Sequence, residues 1–127
     1  MRTEITIVLP LPPRELSPNA RVHWGRKATL TKRVRGEAEL LATVERQRLE
    51  RLGFVFPWLR ASFEAIWHWP DRRHLSDDDN LIGRCKAVRD GIADAGIVID
   101  DKVFELERPL QLIDKRAPRL EIKVGQL

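Results

Sequence analysis

Over residues 59–69 apolar side chains fall on every second position. Leu59, Ala61, Phe63, Ala65, Trp67 and Trp69 point one way, and Arg60, Ser62, Glu64 and His68 the other, with Ile66 the exception. A helix would scatter such a set around its axis, whereas a strand sends alternate residues to one face. The stretch predicts a half-buried strand, ended at Pro70. A chain that holds such a strand needs partner strands beside it and a layer to cover its apolar side.

The rest of the chain supplies both. Residues 4–9 (EITIVL) are rich in β-branched side chains and stop at Pro10, which predicts a first strand. The segment PLPPRELSPNARVHWGRKA that follows is long for a plain connection, and long loops in compact domains carry function. From residue 31 to 52 Val34, Ala38, Leu41, Val44, Leu49 and Leu52 trace one side of a helix that Gly53 stops. A second helix spans residues 80–95, with Leu81, Cys85, Val88, Ile92 and Ala95 as its apolar stripe and Gly96 as its cap. Residues 103–113 and 120–124 predict two last strands joined by the turn DKRAPR. The order β-α-β-α-β-β predicts an α+β fold. Two main helices cover one face of a small mixed or largely antiparallel sheet of about four strands, within one domain over residues 1–127.

Charge narrows the partners. The 23 Lys and Arg exceed the 19 Asp and Glu, for a net charge of +4, a modest lean toward a polyanion. The basic residues cluster: Arg14, Arg21, Arg26, Lys27, Lys32, Arg33 and Arg35 in the first third, then Arg72 and Arg73. A solvated helical surface accounts for such clustering as well as a nucleic-acid partner does. The lone Cys85 excludes an internal disulfide and sits in an apolar stripe, as a buried structural thiol would. No apolar run approaches the ~20 residues of a membrane span, and the N-terminus has no signal core. The expectation is a soluble, cytoplasmic protein with no membrane partner.

The acids carry the chemistry. Asp77, Asp78 and Asp79 stand together before the second helix, and Asp100 and Asp101 follow the apolar stretch beyond it. Adjacent carboxylates raise one another's pKa unless something positive holds them. A helix N-terminus explains the first cluster by itself, because Asp caps helices and favours their dipole. The second pair adds a possibility. If residues 97–99 fold back along the helix as a strand, one carboxylate of that pair returns toward Asp77 and Asp79. Three such carboxylates suit Mg²⁺ or Mn²⁺ rather than zinc. An EF-hand loop is excluded, because counting from Asp78 puts Arg89 where a glutamate belongs. On the polar side of the helix Asp79, Gly83, Lys86 and Asp90 recur at four, three and four. That arrangement places Lys86 on the aspartates' side. Gly83 would let a phosphate backbone approach, and Lys86 reads equally well as a solvated lysine paired with Asp90.

These residues resemble a known family. Asp77, Asp79 and Asn80 open a helix containing Lys86, Asp90 and Gly96, and an Asp-Asp pair follows an apolar stretch. A first strand runs into LPLPP and then SPNARVHW. In order and over most of the chain this resembles RusA, the phage-type Holliday junction resolvase. The resemblance implies a Mg²⁺-dependent homodimeric endonuclease, with Mn²⁺ a possible substitute, that resolves four-way DNA junctions by paired symmetric nicks. It implies metal-binding carboxylates at Asp77, Asp79 and Asp101, assisted by Asp100, a catalytic lysine at Lys86, and no small-molecule cofactor. In the best-known pattern the lysine follows the second aspartate by four residues, whereas Lys86 follows Asp79 by seven. The three extra residues keep its face and move it ~4–5 Å along the axis, and Arg84 or Arg89 is an alternative bearer of part of its role.

The expected DNA contacts are Asn19, Arg21, His23, Trp24, Arg26, Lys27, Arg72 and Arg73. Trp24 either stacks at the branch point or anchors its loop on the core. His23 either touches phosphate or binds backbone. The alternatives to a junction resolvase are a non-catalytic branched-DNA-binding protein and a nuclease acting on forks or flaps.

Overall fold

The computed structural model describes residues 2–127. It is an α+β fold built around the alternating strand, β2 (Ala61–Trp69), which runs antiparallel to β5 (Arg119–Gln126). β5 in turn pairs antiparallel with β1 (Glu4–Leu9). On its other side β2 runs parallel to two short strands, β3 (Phe104–Leu106) and β4 (Leu110–Ile113). The sheet is therefore mixed and has five strands rather than about four. The expected strand over residues 103–113 is divided. Glu107 still donates its N–H to Phe63 O (2.8 Å), but Pro109 has no N–H to give.

The helices cover the face that β2 presents through Phe63, Ala65, Trp67 and Trp69. α1 (Trp24–Arg51) begins seven residues before the expected start at residue 31. His23 is its N-cap, with Nδ1 accepting from Gly25 N–H at 3.1 Å. Histidine is not among the usual caps, so the pattern gave no start signal there. α1 packs on α3 (Lys86–Asp94) through small residues. Ala38 and Ala42 are fully buried on α1, and a Cβ at Gly91 would lie 2.3 Å from Arg35 O.

The expected single helix over residues 80–95 is an elbow of α2 (Asp78–Arg84) and α3, broken at Cys85. Ile82 O takes a short-turn bond from Cys85 N–H (3.1 Å) and one from Arg89 Nη1 (2.8 Å). The apolar stripe continues across the break because Leu81, Cys85, Val88 and Ile92 are all buried. Burial pushes the Cys85 thiol up to about 12, so it stays protonated at neutral pH and is no nucleophile.

The outer face of the sheet is more closed than the alternation implies. Ser62, Ile66 and His68 of β2 are buried there, in register with Gly125, Glu121 and Arg119 of β5. His68 Nε2 meets Glu121 Oε1 at 3.3 Å.

Gly91→Ala should destabilise the protein by about 1–3 kcal/mol in denaturant unfolding, through overpacking against α1. Gly36→Ala, at an exposed site on α1 with nothing within 4 Å, should be neutral or stabilise by up to about 1 kcal/mol.

Candidate functional site

The acids at the start of α2 sit in a braced turn. Asp77 is the N-cap, its Oδ1 accepting from Asn80 N–H at 2.7 Å. Asp78 and Asp79 fill the first turn, where the helix dipole favours negative charge. Asp78 pairs with Arg108 (3.0 Å). Asp77 and Asp79 are exposed and form no ion pair among the described residues. The turn before them is fixed by Gln111 of β4. Its Oε1 accepts from Ser76 N–H and from Trp69 Nε1, both at 3.0 Å, and its Nε2 donates to Ser76 O at 2.9 Å. Sequence reasoning missed Gln111, which is one unremarkable polar residue in a strand.

The second acid pair lies on a short 3-10 turn (Asp101–Val103) rather than at the end of a strand. Residues 97–99 run alongside Trp58 at a single bridge, Trp58 with Val98. Asp100 turns back to cap its own turn, Oδ1 accepting from Lys102 N–H at 2.8 Å. Asp101 reaches the first residue of α3, accepting from Lys86 Nζ at 2.9 Å. Lys86 Nζ also donates to Asp90 Oδ1 at 2.9 Å.

The two carboxylates, Asp90 first and Asp101 second, hold the Lys86 ammonium above its ordinary pKa. The Lys86 ammonium in turn holds the Asp101 carboxyl below its ordinary value, and the Asp100 side chain adds to the effect. The Lys86–Asp90 pair that the sequence offered as one reading of the lysine is present, and Asp101 is its second anchor.

Among the described residues no three His, Cys, Asp or Glu side chains are close enough together to hold a metal ion. The structure joins Asp101 to Lys86 and Asp90, and does not gather Asp77, Asp79 and Asp101 into one group. The donor chemistry, carboxylate oxygen throughout, is that of a hard divalent cation.

Gly83 does not present bare backbone as expected. The Pro18 ring occupies that space, and a Cβ at Gly83 would lie 2.2 Å from Pro18 Cγ. The compensation for a helical glycine is therefore the seating of the proline-rich segment on α2.

The basic residues line concavities that meet edge to edge. One of about 530 Å³ runs along α1 past Trp24, Lys27, Thr31, Lys32 and Arg35. The next, about 340 Å³, shares Lys27 and Thr31 and continues to Lys86 and Arg84. The third, about 330 Å³, shares Arg84 and continues past Arg14, Asn19, Arg73 and Asn80. Linked through Lys27, Thr31 and Arg84, the three make up a basic trough, with residues of the 16–20 segment lining both the second and the third.

Of the expected contacts, Trp24, Lys27, Asn19 and Arg73 line the trough. Arg21 and Arg72 are exposed and line none of these three. Arg26 pairs with Glu15 (2.7 Å), and Arg73 pairs with Asp71 (2.8 Å). His23 is bound to backbone by its cap and stacks on Trp24 with centroids 5.6 Å apart. Trp24 is 79% exposed, so it does not anchor its loop on the core. Arg14 and Lys32 also line the trough, and each belongs to the basic cluster visible in the sequence.

No family model matches the chain. Over 99 residues, 78% of its length, the chain is 43% identical to a protein of Xylella fastidiosa strain Temecula1 that bears the name "Uncharacterized protein". The matched region spans 61% of that relative's length. Among the described residues no helix is long and apolar enough to cross a membrane.

Lys86→Met should raise the Asp101 carboxyl pKa toward its ordinary value, read from the carboxyl carbon shift of labelled aspartate during a pH titration. In the unaltered protein the depressed Asp101 pKa contributes stability above the ordinary carboxylate range. That contribution is lost as pH falls through the depressed value. Lys86→Met should shrink this acid-side loss.

Proposed function

We propose that the protein is a RusA-type, Mg²⁺-dependent structure-specific endonuclease that nicks four-way DNA junctions, acting as a homodimer with one site per subunit. The observation that carries this reading is the position of Lys86. Its ammonium is held by Asp90 and Asp101, and its side chain lines the trough shared with Lys27. Acidic site and basic trough therefore meet at one residue.

The chain's own groups divide the work. Lys27, Lys32 and Arg14 take backbone phosphates, which position a strand without reading its sequence. Trp24, exposed beside Lys27, offers a stacking face to an unpaired base at a branch point. The two carboxylates fix the Lys86 ammonium in place, and it sets positive charge where a phosphate passes from the trough to the acids. By the resemblance, the residues that would hold Mg²⁺ are Asp77, Asp79 and Asp101, assisted by Asp100, although the structure does not bring Asp101 together with the other two. When bound, the ion lowers the pKa of a water and neutralises charge on the phosphate and the leaving oxygen. A two-fold dimer presents two such sites, as two symmetric nicks require.

Asp79→Asn should abolish Mg²⁺-dependent nicking while junction affinity is kept or raised, because a negative charge leaves the DNA-facing surface. Lys86→Met should slow nicking by roughly 10²-fold. Rates on junction, fork, flap and linear duplex identify the substrate, and the four-way junction should be fastest. Equal rates on linear duplex overturn the junction assignment. A wild-type protein that binds junctions but never nicks them in Mg²⁺ or Mn²⁺ is a binding protein instead.

A further inference from the structure

Arg84 and Arg89 are buried cations, each 8% exposed. Burying a charge is costly unless an opposite charge accompanies it. Among the described residues neither forms an ion pair, so each is held by other means. Arg89 Nη1 donates to Ile82 O, and its guanidinium carbon lies 5.6 Å from the Phe63 ring centroid. The cavity beside it is about 10 Å³, enough for one water at most. Arg89 is thus explained by the elbow it braces.

Arg84 is not explained in that way. Its Nε and Nη2 both donate to Pro12 O, at 3.1 and 2.6 Å, and its guanidinium carbon lies 5.4 Å from the ring centroids of both Trp67 and Trp69. A carbonyl and two indoles fix the orientation of the group without neutralising its charge. A guanidinium has five N–H donors, and these bonds leave donors on the Nη1 side without a protein partner. Arg84 also belongs to the walls of two concavities, the one with Lys27 and Lys86 and the one with Arg14 and Arg73.

We propose that Arg84 is a preformed phosphodiester-binding site in the floor of the trough, taking one backbone phosphate of a nucleic-acid strand that passes between Lys27 and Arg73. The assignment rests on the nucleic-acid reading of the trough and not on catalysis. The indoles and Pro12 O orient the group before the ligand arrives, so little side-chain freedom is lost on binding. The phosphate supplies the counter-charge that the protein omits.

The test is DNA binding in EDTA, where no cleavage is possible, across a range of NaCl concentrations. Wild type, Arg84→Gln, Arg84→Lys and Arg89→Gln are titrated with a four-way junction, and each variant's Tm is recorded. Arg84→Gln should weaken binding roughly tenfold and reduce the slope of log K against log salt by about one phosphate's share, ~0.9. Arg84→Lys should keep the slope, and Arg89→Gln should leave both slope and affinity unchanged. In the unaltered protein the Arg84 Nε–H NMR resonance should shift on titration with a phosphodiester dinucleotide while that of Arg89 does not. A lowered Tm with an unchanged salt slope, or an Arg84 resonance that ignores the dinucleotide, overturns the proposal. Wild-type nicking is scored separately in Mg²⁺, so the salt slope tests Arg84 even in a protein that never cuts.

Discussion

The segment between β1 and α1 is pinned to the end of α2 at two points, and the places of Arg14 and Asn19 in the trough follow from that. The Pro18 ring lies against Gly83, and Pro12 O takes two bonds from Arg84. Neither contact tolerates much change. A side chain at residue 83 collides with the ring, and a residue without a donor at 84 leaves a buried carbonyl unpaired. Because the pins hold, Arg14 and Asn19 line one concavity with Asn80; Lys27 and Lys86 line the next, brought together by the packing of α1 on α3. Basic and acidic segments far apart in the chain thus share one surface.

A second tie, Lys86 to Asp101, closes the other side. It is a bond between residues 15 positions apart that brings the turn after α3 back to the elbow. The ammonium between Asp90 and Asp101 offsets the repulsion of two carboxylates and leaves Asp77 and Asp79 exposed on the neighbouring helix start. The elbow at Cys85 therefore has a consequence beyond packing. It separates a helix that carries exposed acids from one that carries a paired lysine, and the trough runs past both.

The sequence was most legible where one geometry excluded the others. Alternation over residues 59–69 admits only a strand, and β2 occupies 61–69 with its apolar side under the helices, while Leu59 lies exposed before the strand begins. Residues 4–9 were equally plain, since EITIVL ends at a proline. The start of α1 was hidden by an unusual cap, His23. The elbow was hidden because Leu81, Cys85, Val88 and Ile92 keep helical spacing across it, and periodicity does not register one non-helical residue. The division between β3 and β4 had a visible cause in Pro109, which the apolar run outweighed. The acids were legible as a set and not as an arrangement. A turn capped by Asp100, rather than a strand, sends Asp101 to Lys86, and no spacing rule encodes that. Arg84 was hidden for a different reason: nothing in a sequence tells a buried arginine from a solvated one.

The nuclease reading stands or falls on whether Asp77, Asp79 and Asp101 share divalent cations beside the basic trough. Carboxyl NMR of aspartate-labelled protein tests this during titration with substoichiometric Mn²⁺, whose unpaired electrons broaden nearby signals. Shared ions should broaden the resonances of Asp77, Asp79 and Asp101 together, at the same ion concentration and ahead of the other acids. An Asp101 signal that stays sharp while Asp77 and Asp79 broaden, or broadening spread evenly over all surface carboxylates, contradicts a shared site.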